Sequence, residues 1–266
     1  MTSNATAASS VTEQQLEVFG GAVHFFKAGK GDPVLLLHRD NGHPGWSRFE
    51  ELLAKNFTVY LPSHPGFHNS DPPAWTWMES VRDLAAAYQG IMDALGLQKT
   101  NVIGHGFGGW LAAELATLDH DRFLSMVLVN PMGILPRDGE IFDQFIVNAE
   151  TYARTMVSDQ STFDAVYGAE PPFEQLEAWE TDREMSTRIA WRPYMYNRAL
   201  PNLLAGVDVD TLVIAGTKDG VVPNECAQMY TDALPNSRLE KLPAGHALEL
   251  ERPEDLAKLC IEHIGA

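Results

Sequence analysis

Short apolar runs alternate with amphipathic stretches along most of the 266-residue chain. Five of these runs are apolar at most positions, namely 34–38, 57–61, 101–103, 123–129 and 211–216. Such continuous runs are typical of parallel strands whose two faces are both buried. The stretches between them, such as 46–55 and 77–95, have the spacing of helices. The alternation predicts an α/β fold with a mostly parallel sheet of about eight strands and helices on both of its faces.

The start of the chain departs from this alternation. Two short runs flank Gly20-Gly21, which predicts an antiparallel hairpin at one edge of the sheet. Residues 1–14 begin with a segment rich in Ser, Thr and Ala that has neither a basic region nor an apolar core. We therefore expect a disordered tail over 1–14 and no signal peptide.

The alternation is also interrupted once in its middle, over residues 134–204. This segment is rich in aromatic residues and methionine, has helical spacing, and contains Pro171-Pro172 near its centre. We interpret it as an inserted helical cap of about four helices, which the chain enters after one strand and leaves before the next. The core domain would then comprise residues 15–133 and 205–266.

Charge and composition limit the partners of the chain. It has 19 Lys and Arg against 36 Asp and Glu, a formal net charge of −17 at pH 7. So acidic a chain is expected to repel nucleic acid and anionic membranes, and no apolar run reaches the ~18 residues of a membrane span. Cys226 and Cys260 lack metal-ligand spacing and suit a reducing, cytoplasmic location. We expect a small-molecule partner, no metal and no cofactor, and leave a homodimer open.

The stretch 101–116 joins a β-branched strand to an alanine- and leucine-rich helix through Gly104-His105-Gly106-Phe107-Gly108. A turn of this kind lies at the carboxyl edge of the sheet, where ligands bind in open α/β folds. It resembles the nucleophile elbow of α/β-hydrolases, whose signature is G-x-S-x-G. Gly106 stands at the nucleophile position, so the residue that normally attacks the substrate has no side chain.

Two further polar residues follow later strands at the same edge. Asp219 comes after the strand at 211–216, and His246 comes after a predicted strand near 238–242. Acid and histidine follow the nucleophile in this order in α/β-hydrolases. The acid there fixes the imidazole tautomer, and the histidine moves the proton. The sequence therefore predicts an Asp219–His246 dyad that faces Gly106.

Several motifs indicate a particular subgroup of the α/β-hydrolases. They are Pro62-Ser63-His64-Pro65-Gly66-Phe67, the helix start at 108–116, Tyr194-Met195-Tyr196-Asn197, and the loops that carry Asp219 and His246. With them the chain resembles the cap-bearing bacterial hydrolases related to meta-cleavage (carbon–carbon bond) hydrolases and esterases, over about 15–264. The resemblance implies an α/β-hydrolase fold with an inserted cap and cofactor-independent chemistry.

The chain departs from that family after its first central strand. The family has His-Gly there, and a backbone N–H near this glycine helps to form the oxyanion hole; this chain has His38-Arg39-Asp40. The resemblance implies the Phe107 N–H as one oxyanion donor and the 38–40 region as the second. Arg39 could instead hold a carboxylate or enolate with its guanidinium, or face solvent. The family also has glycine where this chain has His68.

Three hypotheses of function follow. In the first, Asp219–His246 acts as a general base in hydrolase, lyase or isomerase chemistry on a small, mainly apolar carbonyl compound, since an acyl-enzyme needs a hydroxyl that Gly106 lacks. A water beside His246, in the space that glycine leaves, would then be the nucleophile or a filler. In the second, the chain binds small molecules without catalysis. In the third, Gly106 is an engineered replacement of serine in an ordinary esterase or C–C hydrolase.

Overall fold

The structure is a computed structural model that describes residues 10–67 and 69–265. Its strands are β1 (Thr12–Val18), β2 (Gly21–Gly29), β3 (Pro33–Leu37), β4 (Thr58–Pro62), β5 (Thr100–His105), β6 (Phe123–Val129), β7 (Thr211–Gly216) and β8 (Ser237–Leu242). They form one sheet in the order β1-β2-β4-β3-β5-β6-β7-β8. Only the pairs that involve β2 are antiparallel. The predicted eight-stranded, mostly parallel sheet is confirmed.

The helices of the described residues are α1 (Arg48–Leu53), α2 (Val81–Ala94), α3 (Phe107–Leu118), α4 (Ala149–Thr155), α5 (Gln160–Tyr167), α6 (Phe173–Ala190), α7 (Leu200–Leu204), α8 (Glu225–Ala233), α9 (Leu248–Glu251) and α10 (Pro253–Ile264). Helix α1 begins later than expected because Ser47 and Glu50 form a capping box. Helix α2 begins at Val81 because the Ser80 hydroxyl accepts the N–H of Asp83.

The first strand begins inside the predicted tail. Residues Thr12 to Gln14 pair with Lys27 to Phe25 of β2, so the expected disorder over 1–14 is wrong for its last three positions. The start of this strand was not predicted because β1 is an edge strand. Its first four residues, Thr-Glu-Gln-Gln, do not alternate between apolar and polar positions. Residues 1–9 lie outside the described residues, as does His68.

Helices α4 to α7 lie between β6 and β7, within the segment 134–204 that we predicted to be a cap. This insertion contacts the loop after β3, since Tyr152 of α4 donates to the Asp40 carboxylate and Ser186 of α6 donates to the Asp40 carbonyl. The insertion therefore lies against the carboxyl edge of the sheet. The division into a core (15–133 and 205–266) and a cap stays a prediction.

Close packing of α3 on the sheet positions the elbow. A side chain at Gly108 would collide with the carbonyl oxygens of Leu37 and His38, so only glycine lets α3 approach the end of β3. The start of α3 and the loop that follows β3 are consequently neighbours. Within the described residues, no helix is long and apolar enough to cross a membrane, and no three His, Cys, Asp or Glu side chains are grouped to hold a metal ion.

Candidate active site

The elbow is a tight turn between β5 and α3. Gly106 has φ 53° and ψ −111°, a left-handed conformation that favours glycine. Its N–H donates to the carbonyl of Val129 at 2.8 Å, and its carbonyl accepts the N–H of Met132 at 3.1 Å. These bonds hold the backbone of the turn even though no nucleophile side chain is present. Phe107 is the first residue of α3, and such N–H groups have no acceptor within the helix.

The structure brings Asp219 and His246 together. Nδ1 of His246 lies 2.8 Å from Oδ2 of Asp219, and both side chains are almost completely buried. The other oxygen, Oδ1, accepts the N–H groups of Val221 and Val222 at 2.7 and 2.9 Å, which fixes the orientation of the carboxylate. Because a carboxylate only accepts, Nδ1 carries the proton and Nε2 keeps its lone pair. Nε2 has no hydrogen-bond partner among the described residues.

The imidazole of His246 lies directly against Gly106. A Cβ atom built on Gly106 would be 2.5 Å from Nε2 of His246 and 3.4 Å from Cγ of Arg39. Real Cβ atoms are not found at the first of these distances. We expected a water beside His246, in the space that glycine leaves. At the Cβ position of residue 106, the imidazole itself fills that space.

Arg39 is buried beside the elbow, so the alternative prediction of a solvent-facing arginine is wrong. Its Nε lies 2.7 Å from Oε1 of Glu249, and its Nη1 lies 2.7 Å from Sδ of Met156. Nη2 makes no hydrogen bond within the described part of the chain. Burial opposes the charge, but Glu249 and Tyr167 outweigh it and raise the pKa of Arg39. The guanidinium is therefore a permanent cation in this site.

Asp40 is buried on the other side of Arg39. Its Oδ2 accepts the hydroxyl of Tyr152 at 2.7 Å and the amide of Gln144 at 3.1 Å, whereas Oδ1 has no partner among the described residues. Burial raises the pKa of Asp40, against the opposing effects of Tyr152 and His246. Two residues of the insertion thus hold the carboxylate close to the dyad.

His38 is engaged elsewhere. Its Nδ1 donates to the Arg39 carbonyl at 2.6 Å, its Nε2 accepts the N–H of His64 at 2.8 Å, and the two imidazoles stack at 3.6 Å. Burial, followed by His64 and His43, lowers the pKa of His38 well below its usual value. Neither ring nitrogen is left to bind substrate, so the structure places His38 as a neutral support of the loop.

The residues that sequence reasoning missed are Glu249, Tyr152, Gln144 and Met156. Glu249 pairs with Arg39, and the last three reach the site from the insertion. None belongs to a motif, and their contacts depend on how the insertion packs. The only signal was the position of Glu249, three residues after His246.

A separate cavity of about 350 Å³ lies between the loop after β3 and helix α6. His38, Asn41, His43, Ser63 and Asp182 are among its lining residues, whereas Gly106 and His246 are not. The dyad therefore does not line this cavity, although the loop that carries Arg39 and Asp40 does border it through His38 and Asn41.

The comparisons with known proteins agree with this fold. Residues 32–253 match the family model described as alpha/beta hydrolase fold. The chain belongs to the α/β-hydrolase family. It is similar to 2-hydroxy-6-oxo-6-phenylhexa-2,4-dienoate hydrolase of Burkholderia cepacia, with 24% identity over 98% of each chain. The 2-hydroxymuconate semialdehyde hydrolase of Pseudomonas putida is 26% identical, over 96% of this chain and 95% of that one.

A solved hydrolase structure has the same fold. The meta-cleavage product hydrolase of Pseudomonas fluorescens IP01 superposes with a TM-score of 0.77 and 23% identity, over 95% of this chain and 97% of that chain. The resemblance to meta-cleavage hydrolases that the sequence suggested is confirmed.

Several buried histidines are neutral in the folded protein, so we predict that the protein loses stability in acid. Burial lowers the pKa of His43 and His105 to about 4 and that of His64 to about 3. Unfolded histidine titrates near ~6.5, so the unfolded state binds more protons below that pH. The contribution of these histidines to stability should be complete above about pH 6.5. It should fall toward pH 4 by up to about 1.4 kcal/mol per histidine and pH unit. Urea unfolding at pH 7.5, 6 and 5 measures this; an unchanged free energy of unfolding contradicts it.

Proposed function

We propose that the chain is an α/β-hydrolase-family enzyme that acts without a covalent intermediate. Asp219–His246 serves as a general base toward a small, mainly apolar, carbonyl-containing substrate. The observation that carries the proposal is the buried Nε2 of His246, which has no hydrogen-bond partner within residues 10–67 and 69–265 and lies against the elbow while Asp219 holds Nδ1. A buried base without a partner is costly unless a reacting group uses it.

The chemistry that fits this arrangement is proton transfer next to a carbonyl group. Nε2 of His246 takes a proton from the carbon, and the electron pair moves to the carbonyl oxygen. The Phe107 N–H and the Arg39 guanidinium stabilise the resulting oxyanion. The proton then returns to another carbon in an isomerisation, or is passed to the departing group in a lyase reaction. In hydrolysis Nε2 instead takes a proton from water, the water oxygen bonds to the carbonyl carbon, and the proton is passed to the group that leaves. A general base contributes about 10²–10⁴-fold to such a step.

The insertion acts as a cap in this proposal. Met156 contacts Arg39 through its sulfur, and its carbonyl accepts the N–H of Ala247, next to the catalytic histidine. These contacts cover the dyad. A substrate therefore enters when the 134–204 segment moves, as lids do in many enzymes.

A specific observation favours a second candidate, a non-catalytic small-molecule binding protein. Cγ of Arg39 lies next to the Cβ position of residue 106, and Nη1 contacts Met156, so side chains fill the space above the elbow. A serine at position 106 would place its Cβ 2.5 Å from Nε2 of His246, so the imidazole would have to shift to admit it.

Deuterium exchange separates these candidates without knowledge of the natural substrate. The wild-type chain is incubated with 2,5-hexanedione, an enolisable diketone, in D₂O, and loss of its C–H signals is followed by proton NMR. An enzyme with a working base accelerates this exchange, whereas a binding protein leaves it at the buffer rate. The control is His120→Gln, because His120 lies on a surface turn and is about half exposed. Exchange by wild type at the buffer rate would contradict the proposed function.

A further inference from the structure

Negative charge dominates the surroundings of the proposed base. Asp219 bonds His246 directly, and Asp40 and Glu249 both act on its imidazole electrostatically. Glu249 is held ionised, because Arg39 and His105 outweigh burial and lower its pKa. Arg39 is the cation among these groups, and Glu249 already compensates its charge at 2.7 Å. A second anion placed here would be buried without a counter-charge.

The guanidinium of Arg39 also lacks the geometry to bind a carboxylate. Carboxylates are bound by arginine through two parallel N–H···O bonds. In this chain Nε is used by Glu249, Nη1 faces the sulfur of Met156, and the Tyr167 side chain also interacts with the guanidinium. Nη2 alone makes no hydrogen bond of ordinary geometry within the described residues. One free nitrogen suits one oxygen, such as that of a ketone.

We propose that the elbow site accepts uncharged ketones and rejects carboxylates, with Nη2 of Arg39 binding the carbonyl oxygen. The inference rests on the proposed function and names its substrate class. A ketone brings no charge into the site, and its oxygen becomes negative only as the proton leaves, next to Arg39. The sequence suggested either a carboxylate or an enolate as the ligand of Arg39, and the enolate fits this arrangement. The relative from Burkholderia cepacia is named for a dienoate, which is a carboxylate. The proposed selectivity of this chain differs from that name, and it depends on Arg39 and Asp40, which follow the first central strand.

The test compares two molecules of the same length. 2,5-Hexanedione and 4-oxopentanoate share a methyl ketone, but the second acetyl group of the former is a carboxylate in the latter. Deuterium exchange gives kcat/KM for both, and saturation-transfer NMR compares their binding independently of turnover. We expect the diketone to be preferred about tenfold or more in both measurements, because like charges juxtaposed in a binding site are costly.

A charge-removing variant shows whether Asp40 causes the preference. Asp40→Asn should raise the exchange and binding of 4-oxopentanoate relative to the diketone by several-fold, since it removes one nearby charge. Asp121→Asn is the matched control, because the Asp121 side chain is 91% exposed; it should leave the ratio unchanged.

The outcomes separate this inference from the proposed function. Equal or better binding of 4-oxopentanoate overturns the selectivity, whatever the exchange rates are, and so does binding of neither compound. Preferential binding of the diketone with no exchange supports the selectivity but overturns the proposed general base. A ratio that Asp40→Asn leaves unchanged contradicts the electrostatic cause.

Discussion

His246→Gln is expected to lower catalysed deuterium exchange of 2,5-hexanedione by about 10²–10⁴-fold, the usual contribution of a general base. Glutamine fills similar space but has no basic nitrogen, so the loss reports chemistry rather than packing. The rate constant kcat should fall while KM changes little, because Nε2 acts on the proton that moves in the transition state.

Asp219→Asn tests the second member of the dyad. An amide can donate to Nδ1, which would put the imidazole proton on Nε2 and remove the lone pair from the side that faces Gly106. We expect a loss close to that of His246→Gln, and little further loss in the double variant, because the two residues act as a unit. Far-ultraviolet circular dichroism and urea unfolding show that each variant is folded. Full activity in either folded single variant would refute the dyad as the base.

Gly106→Ala is expected to destabilise the protein by about 2–5 kcal/mol in free energy of unfolding. The left-handed backbone at φ 53° contributes about 1–2 kcal/mol for a residue with a Cβ atom. Overpacking contributes about 1–3 kcal/mol more, because the new methyl group would lie 2.5 Å from Nε2 of His246. Urea denaturation of wild type and variant measures the difference.

Gly96→Ala separates the two contributions. Gly96 also has a positive φ, +73°, but a Cβ atom there would have no neighbour within 4 Å in the part of the chain that the structure describes. It should therefore cost only the backbone term, about 1–2 kcal/mol. A double-mutant cycle of Gly106→Ala with His246→Ala should show favourable coupling, since removal of the imidazole relieves the contact. If Gly106→Ala costs no more than Gly96→Ala, His246 does not pack against the elbow as described.

The sheet, the elbow and the order of Asp219 and His246 could be predicted because each depends on a local signal. Buried parallel strands have continuous apolar runs, a glycine-rich turn marks the elbow, and both polar residues follow such strands. Strand β1 was missed at its start because a polar edge strand depends on its partner for pairing rather than on its own pattern.

The electrostatic surroundings of the dyad could not be predicted in the same way. From the sequence, Arg39 fitted a solvent-facing loop and a buried site equally well. Its placement is decided by Glu249, which lies 210 positions later in the chain, and by Met156 of the insertion. Asp40 likewise depends on Tyr152 and Gln144. Such contacts arise from tertiary packing between distant segments, for which a single sequence carries no periodic signal.

The most direct test of the central claim is whether the active protein ever forms a covalent bond to a serine-directed reagent. Wild-type protein that exchanges 2,5-hexanedione is treated with a fluorophosphonate, and intact mass and residual exchange are measured together. With glycine at the elbow, we predict an unmodified mass and unchanged exchange. An adduct that maps to any serine of the site and abolishes exchange would show that another hydroxyl is the nucleophile, and would contradict a mechanism without a covalent intermediate.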